Sequence, residues 1–81
     1  MPTIKLIDGI KVNVYGRDHL PPHFHVVIAE YEEIIEINTL NTYNGFVPAV
    51  YRRKVINWAS KNQSLLNNYF FTLNPRYANK N

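Results

Sequence analysis

Residues 17–25 read Arg17-Asp18-His19-Leu20-Pro21-Pro22-His23-Phe24-His25, and we expect this stretch to decide how the rest of the chain is arranged. It contains all three histidines of the protein and two of its five prolines. Two adjacent prolines fix their own φ and favour extended backbone in the residue before them. The stretch is therefore predicted to be a stiff loop that leads directly into a strand, with the titratable side chains grouped around it.

The strand that follows is predicted from His23 to Ala29, because apolar residues alternate along it. Its inner positions are Phe24, Val26 and Ile28. His23 and His25 are two residues apart and therefore leave the outer side of the strand together. A partner strand is predicted from Glu32 to Asn38, with Ile35 and Ile37 as its inner residues.

A reversal centred between Glu30 and Tyr31 satisfies the alternation of both strands. The resulting register pairs Phe24 with Ile37 and Val26 with Ile35 inside, and His25 with Glu36 and His23 with Asn38 outside. Directly paired side chains lie about 4.5–5.5 Å apart at Cβ. We therefore expect the Glu36 carboxylate beside His25, where it would stabilise the charged ring or fix its tautomer.

Upstream of the loop, two strands over residues 3–7 and 10–16 are predicted to form a hairpin around Asp8-Gly9. A three-residue loop pairs Leu6 with Ile10 and Ile4 with Val12, so that the apolar residues share one face. A two-residue loop would set Leu6 opposite Lys11 and mix the faces. Because a slip of one residue inverts every side chain, the three-residue loop is the predicted one.

Residues 39–45 form a predicted polar connection, and from Pro48 the apolar period becomes helical. The apolar stripe consists of Tyr51, Val55, Trp58, Asn62, Leu65, Leu66, Tyr69, Phe70 and Leu73. Residues 60–63 interrupt it, and Asn74-Pro75 ends it. The predicted fold is α+β: a four-stranded antiparallel sheet over residues 3–38, followed by one kinked or two consecutive helices over residues 48–73 that pack on one face.

The chain of 81 residues allows one small domain, predicted over residues 1–81 with a flexible basic tail at 75–81. Cysteine is absent, which excludes disulfides and thiolate metal sites. No apolar run is long enough to span a bilayer and no signal sequence opens the chain, so we expect a cytoplasmic protein without membrane contact.

The net charge of +3 is unevenly distributed. All six acidic residues lie within residues 1–36 beside three bases, whereas residues 37–81 contain six bases and no acid. A basic half can face nucleic acid, so RNA or DNA is a candidate partner. For so few charges, a solvated helix face is the favoured interpretation.

The His-x-His pair could ligate one divalent metal ion such as zinc, because imidazole and carboxylate groups are its usual ligands in a cysteine-free protein. The predicted ligands are His23, His25, Glu36 from the partner strand, and His19 or Asp18 from the loop. Histidine binds metal in its neutral form, so metal affinity should weaken as the pH falls through about 6.5, the ordinary histidine value. The alternative is that both histidines are exposed strand residues without a ligand.

The same side chains also fit acid–base chemistry, since imidazole titrates near neutral pH. A small ribonuclease-like toxin would use His19, His23 or His25 as acid and base, with Arg17 or Lys11 holding phosphate. No nucleophile elbow, glycine-rich phosphate loop or Cys-His pair is present. Whether the protein is an enzyme therefore stays open at this point.

A third interpretation is that the protein acts by binding. A domain of this size buries only about 60–65% of its unfolded-chain surface, so its core is thin and oligomerisation would stabilise it. Phe70 and Phe71 cannot both face the core from one helix, which leaves one of them for a partner. The predicted partner is a second copy of the chain or another small protein.

The string Asp18-His19-Leu20-Pro21-Pro22-His23-Phe24-His25-Val26, together with the Met1-Pro2-Thr3-Ile4 opening and the Asp8-Gly9 turn, resembles a small bacterial family described as domain of unknown function 4160. The resemblance covers about residues 1–73. Members of this family are often encoded beside another small protein, an arrangement similar to that of toxin–antitoxin pairs. The resemblance therefore implies a bacterial, cytosolic binding or regulatory component of a two-gene pair, acting through protein or nucleic-acid contacts.

Overall fold

The computed structural model describes residues 2–77. The elements in chain order are β1 (Thr3–Ile7), β2 (Ile10–Asn13), β3 (His23–Ile28), β4 (Tyr31–Glu36), β5 (Thr42–Phe46), α1 (Ala49–Ser60), α2 (Gln63–Leu73) and a 3₁₀ helix (Pro75–Tyr77). The strands form one antiparallel sheet in the order β1-β2-β3-β4-β5. The α+β class with C-terminal helices is confirmed, but the sheet has five strands rather than four.

The core lies between the inner face of the sheet and the two helices. Its fully buried residues are Ile10, Val12, Val14, Phe24, Val26, Ile35, Ile37, Val47, Val55, Ala59, Leu66 and Phe70. All of these except Val47 come from segments that the sequence assigns to strands or helices by their apolar period. Both helices contribute to this core, so within residues 2–77 they cover the inner face of the sheet and leave the outer face without a helix, as is common for antiparallel sheets.

The helical region is split into two helices, which resolves the choice that the sequence left open. The backbone N–H of Lys61 donates to the carbonyl of Trp58, and that of Asn62 donates to the carbonyl of Ala59. The Asn62 side chain also donates to the Trp58 carbonyl, at 2.8 Å. These bonds satisfy the last carbonyls of α1 and end it, after which α2 begins at Gln63.

Strand β5 was missed because nothing in its sequence alternates. All five of its residues are exposed, so no apolar pattern marks it. It is held to the sheet from below by the buried Glu33 carboxylate, which accepts hydrogen bonds from the Thr42 hydroxyl and, at 3.1 Å, from the backbone N–H of Val47. The predicted polar connection over residues 39–45 is therefore only partly a loop.

The predicted register of the N-terminal hairpin was wrong. Ile7 pairs with Ile10 and Leu6 with Lys11, around a two-residue turn in which Asp8 and Gly9 both have positive φ. Two positive φ values define the hairpin turn whose twist matches that of the strands. A bulge between Thr3 and Lys5 then turns Ile4 back to the core, and Leu6 is the one apolar residue of β1 that stays exposed.

The predicted register of β3 and β4 was also wrong, by two residues. The turn is formed by Ala29 and Glu30, so that Ile28 pairs with Tyr31 and Phe24 with Ile35. Ala29 has a φ of 53°, which permits this tight reversal. A shift of two residues keeps every side chain on its predicted face but changes each neighbour.

The tail falls partly outside the described residues. The segment predicted as flexible begins with the 3₁₀ helix Pro75–Tyr77, and the Tyr77 ring stacks near Phe70, at 6.5 Å between centroids. Residues 78–81 lie outside the described part of the chain. Within residues 2–77, no helix is both long and apolar enough to cross a bilayer.

Two glycines provide a matched test of the β4–β5 pairing. Gly9 and Gly45 have nearly the same φ, 82° and 83°. A Cβ at Gly9 meets nothing within 4 Å, whereas a Cβ at Gly45 would clash with the Glu32 carbonyl. We expect Gly9→Ala to lower the free energy of unfolding by about 1–2 kcal/mol, the cost of left-handed backbone alone. Gly45→Ala should cost at least about 1 kcal/mol more, measured by urea denaturation; equal losses would contradict the described β4–β5 packing.

Candidate metal centre

Three side chains converge where the loop over residues 14–22 meets the start of β3. They are Asp18, His23 and His25, and each offers one ligand atom within 4.8 Å of the other two. Asp18 Oδ2 lies 2.8 Å from His23 Nε2 and 3.6 Å from His25 Nε2. Two ligands of a tetrahedral zinc ion are separated by about 3.4 Å, since each bond is about 2.1 Å long. The three atoms therefore already lie close to the spacing that a single metal ion requires.

His23 is held by an acceptor at each ring nitrogen. Its Nδ1 lies 2.8 Å from the carbonyl oxygen of Pro21, and its Nε2 lies 2.8 Å from Asp18 Oδ2, so an acceptor faces each ring nitrogen. The side chain is only 2% exposed. A metal ion would replace the Nε2 proton, while the Pro21 carbonyl would keep the ring in the tautomer and orientation that coordination needs.

His25 has a free ligand atom. Its Nδ1 lies 2.9 Å from Glu32 Oε2 and donates to that carboxylate. Its Nε2 is buried and has no hydrogen-bond partner among the described residues. A buried polar atom without a partner normally costs free energy. Here Nε2 lies 3.6 Å from Asp18 Oδ2, in the position that a metal ligand would take.

Asp18 is ionised under the conditions in which these histidines can bind metal. Partial burial raises the pKa of Asp18, but the backbone N–H of His19 and the charge and hydrogen bond of His23 outweigh it. The net pKa of Asp18 lies below its ordinary value. The ionised carboxylate therefore stabilises the folded state at neutral pH, and this contribution is lost only as the pH falls through that lowered pKa.

The backbone of Asp18 is anchored by the end of the helical half. Its N–H donates to Asn74 Oδ1 at 2.6 Å, and its carbonyl accepts from Arg76 Nη2 at 3.3 Å. The Asn74 amide also donates to the Tyr15 carbonyl and to the Phe70 carbonyl, each at 2.9 Å. The loop is thus fixed by residues about 56 positions away, and the peptide bond before Pro21 is cis.

The comparison with known proteins identifies the family. The sequence model of domain of unknown function DUF4160 matches residues 9–70, which is more than half of the chain. The chain belongs to the DUF4160 family. No curated protein and no solved structure matches it in the same comparisons.

The residues matched by the DUF4160 model include all of the converging side chains, but not every residue that holds them in place. Asp18, His23, His25 and Glu32 lie within residues 9–70, whereas Asn74 and Arg76 lie beyond them. The resemblance stated from the sequence is confirmed at the level of the family. The family's own description assigns no activity, so function has to be argued from the cluster itself.

The other predicted site residues are placed apart from the converging atoms. Glu36 pairs with His23 rather than with His25, and its carboxylate accepts from the Thr39 hydroxyl at 3.1 Å. His19 is 57% exposed, with its Nε2 3.7 Å from Asp18 Oδ1. Arg17 lines a separate cavity at the end of α2. Of the predicted ligands, the structure therefore brings together His23, His25 and Asp18, which was one of the two candidates from the loop.

Aromatic rings surround the cluster. The Tyr15 ring meets His25 edge-on at 4.6 Å between centroids, and its hydroxyl accepts from the Asn13 side chain at 3.1 Å. His19 and Tyr43 stand over His23, at 5.0 Å and 6.4 Å between ring centroids. Because His19 and Tyr43 are also exposed, they form the accessible rim of the cluster.

Sequence reasoning missed the supporting residue Glu32. The register that would have placed it beside His25 depends on the Ala29-Glu30 turn, for which the composition offers no signal. Asn74 was missed as well, because a contact between the loop and the residue after α2 is purely tertiary. The Asp-His-x-Pro-Pro-His-x-His spacing was the one local signal for the ligands.

Proposed function

We propose that the protein binds a single divalent transition-metal ion, such as zinc, through Asp18 Oδ2, His23 Nε2 and His25 Nε2. The observation that supports this most strongly is the orientation of the two imidazoles. Each donates Nδ1–H to a fixed oxygen, and each directs Nε2 towards the same carboxylate. Metal-binding histidines in proteins are usually held in this way by an outer carbonyl or carboxylate.

The ligand set is typical of an open site. Structural zinc sites usually have four protein ligands, whereas catalytic sites have three and leave a position for water or substrate. Two histidines and one carboxylate make three, and the exposed rim of His19 and Tyr43 gives access from solvent. A bound ion would supply an acidified water, and His19 is the nearest free imidazole that could exchange a proton with it.

The pH dependence of metal affinity tests this proposal. Binding has to displace the Nε2 proton of His23, so affinity should fall as the pH falls. Asp18 does not add to this dependence, because its pKa is below the ordinary value and it stays ionised. We expect zinc affinity, measured calorimetrically, to drop by at least about tenfold between about pH 7.5 and about pH 5.5, with proton release on binding.

Calorimetry in two buffers of different ionisation enthalpy measures the released proton directly. An affinity that does not change over this pH range, or binding without proton release, would contradict coordination by His23.

A second candidate function, self-association, is favoured by one surface. Leu65, Tyr69 and Leu73 are spaced four residues apart on α2 and are 42%, 39% and 41% exposed. They form an apolar stripe on a helix that contains no charged residue. Two copies could pair these stripes without bringing like charges together, so we infer that a second copy of the chain is the partner that fits this face.

Light scattering tests the stripe. We expect the chain to show a concentration-dependent dimer that Leu65→Ser and Leu73→Ser together weaken by at least about tenfold. Val50→Ser is the matched control, since Val50 is 54% exposed but lies on α1. A monomer at all concentrations, or equal weakening by the control, would exclude this surface and leave another small protein as the candidate partner.

A further inference from the structure

A second polar site lies on the far side of the loop that carries Asp18. A cavity of about 330 Å³ opens between this loop and the end of α2, lined by Arg17, Leu73, Asn74, Pro75 and Arg76. A cavity of this size accommodates a small organic molecule. Its lining combines two arginines with apolar Leu73 and Pro75, which is the character of a site for an anion with a small apolar part.

The backbone of Arg17 is held in an unfavourable conformation. Its φ is 56°, in the left-handed region that residues other than glycine rarely adopt. Such a conformation costs about 1–3 kcal/mol and persists where the surrounding structure imposes it, most often at binding sites. Here the neighbouring Asp18 is fixed by Asn74, and this places Arg17 at the cavity.

Arg76 is oriented towards the same cavity by two contacts. Its Nη2 donates to the Asp18 carbonyl at 3.3 Å, and its Cζ lies 4.8 Å from the centroid of the Tyr77 ring. One Nη2 hydrogen bond leaves most of the donors of the guanidinium for a ligand. A guanidinium that is already positioned loses less entropy when it binds an oxyanion.

No carboxylate neutralises the two arginines within residues 2–77. The bases that form ion pairs in this part of the chain are Arg52, Lys54 and the three histidines. Asp18 is the nearest acid in sequence to Arg17, but its carboxylate faces His23. The Asn74 side chain is already occupied: its oxygen accepts from the Asp18 backbone N–H, and its nitrogen donates to the carbonyls of Tyr15 and Phe70. Within residues 2–77, no carboxylate therefore supplies a counter-charge to the two arginines that line the cavity.

We propose that Arg17 and Arg76 form a binding site for the phosphate or carboxylate group of a small organic anion. A guanidinium group binds either kind of oxyanion through two parallel hydrogen bonds, and two such groups line this cavity. The site is separate from the metal ligands, and it does not depend on metal being bound.

Titration of the full chain with inorganic phosphate tests the site, after the metal and the chelator that removed it have been dialysed away. The readout is the NMR signals of the arginine side chains. We expect the Arg17 and Arg76 signals to shift together and to saturate. Arg17→Gln and Arg76→Gln should each weaken binding by about tenfold, and Arg76→Lys should weaken it less, because it keeps the charge but loses the planar fork.

Arg53→Gln is the control, since Arg53 is an exposed arginine of α1. Shifts that do not saturate, or equal weakening by Arg53→Gln, would overturn the proposal. A parallel titration with acetate distinguishes the source of the anion: tighter phosphate binding assigns a phosphorylated ligand, and tighter acetate binding assigns a carboxylic acid. Because no metal is present in this titration, a negative result would not count against the proposed metal centre. A failure of zinc binding would likewise not count against the anion site.

Discussion

Replacing Glu33 by alanine is expected to lower the free energy of unfolding by about 3–5 kcal/mol, a large part of the total stability of a small domain. Glu33 is 2% exposed and lies opposite Val26 on the inner face of the sheet. Its carboxylate accepts from Arg52 Nε at 2.8 Å and from the backbone N–H of Val47 at 3.1 Å, as well as from the Thr42 hydroxyl. Its removal leaves a buried N–H unpaired and removes the side-chain hydrogen bonds that link β5 and α1 to β4.

Urea denaturation followed by the fluorescence of Trp58 measures this loss. Glu33→Gln keeps an acceptor and the side-chain volume, so it should cost less than Glu33→Ala. Glu30→Ala is the control, because Glu30 is an exposed turn residue and its replacement should change stability by less than about 0.5 kcal/mol. A loss below about 1 kcal/mol for Glu33→Ala would show that the Glu33–Arg52 pair does not hold β5 and α1 in place.

Removing any one of the three proposed ligands is expected to lower zinc affinity by more than about 100-fold, since changes to the outer partners of metal ligands already cost about 10–100-fold. Asp18→Asn is the sharpest variant, because it keeps the shape of the side chain while removing its charge and one of the two oxygens that contact the His19 N–H and His23. Glu32→Gln should lower zinc affinity by only about 10–100-fold, because Glu32 is an outer partner that holds His25 Nδ1.

His19→Ala is the matched control for the ligand variants. His19 is exposed and is not one of the three converging groups, so its loss should change zinc affinity by less than about tenfold. Calorimetric titration of each variant, with circular dichroism to verify folding, gives the comparison. Equal effects of His19→Ala and His25→Ala would show that the histidines bind zinc without a defined site.

The fold was predictable where burial imposes a period. The inner residues of β3, from Phe24 to Ile28, alternate because one face of the strand packs on the core, and α1 and α2 show the helical period for the same reason. The register of β3 and β4 was not predictable, because Ala29 adopts a positive φ in the turn although it is not glycine. Strand β5 could not be predicted from the sequence, because a buried charge helps to hold it in place and it has no apolar face.

The candidate site was predictable only in part, for related reasons. His23 and His25 share one face of a strand whatever its register, so their proximity follows from a spacing of two. Glu36 was expected beside His25 because the turn was placed one residue too far along the chain, which shifts each cross-strand pair by two. Asp18 was one of two loop alternatives, and its position depends on Asn74, some 56 residues away.

Zinc titration of the metal-free protein, followed at the ring signals of the three histidines, tests the metal centre most directly. The structure predicts that the signals of His23 and His25 shift together and stop changing at one equivalent of zinc. Their Nδ1–H protons should remain bound to the Pro21 carbonyl and the Glu32 carboxylate, and His19 should shift little. Histidine signals that respond independently, without saturation at one equivalent, would contradict the proposed metal site.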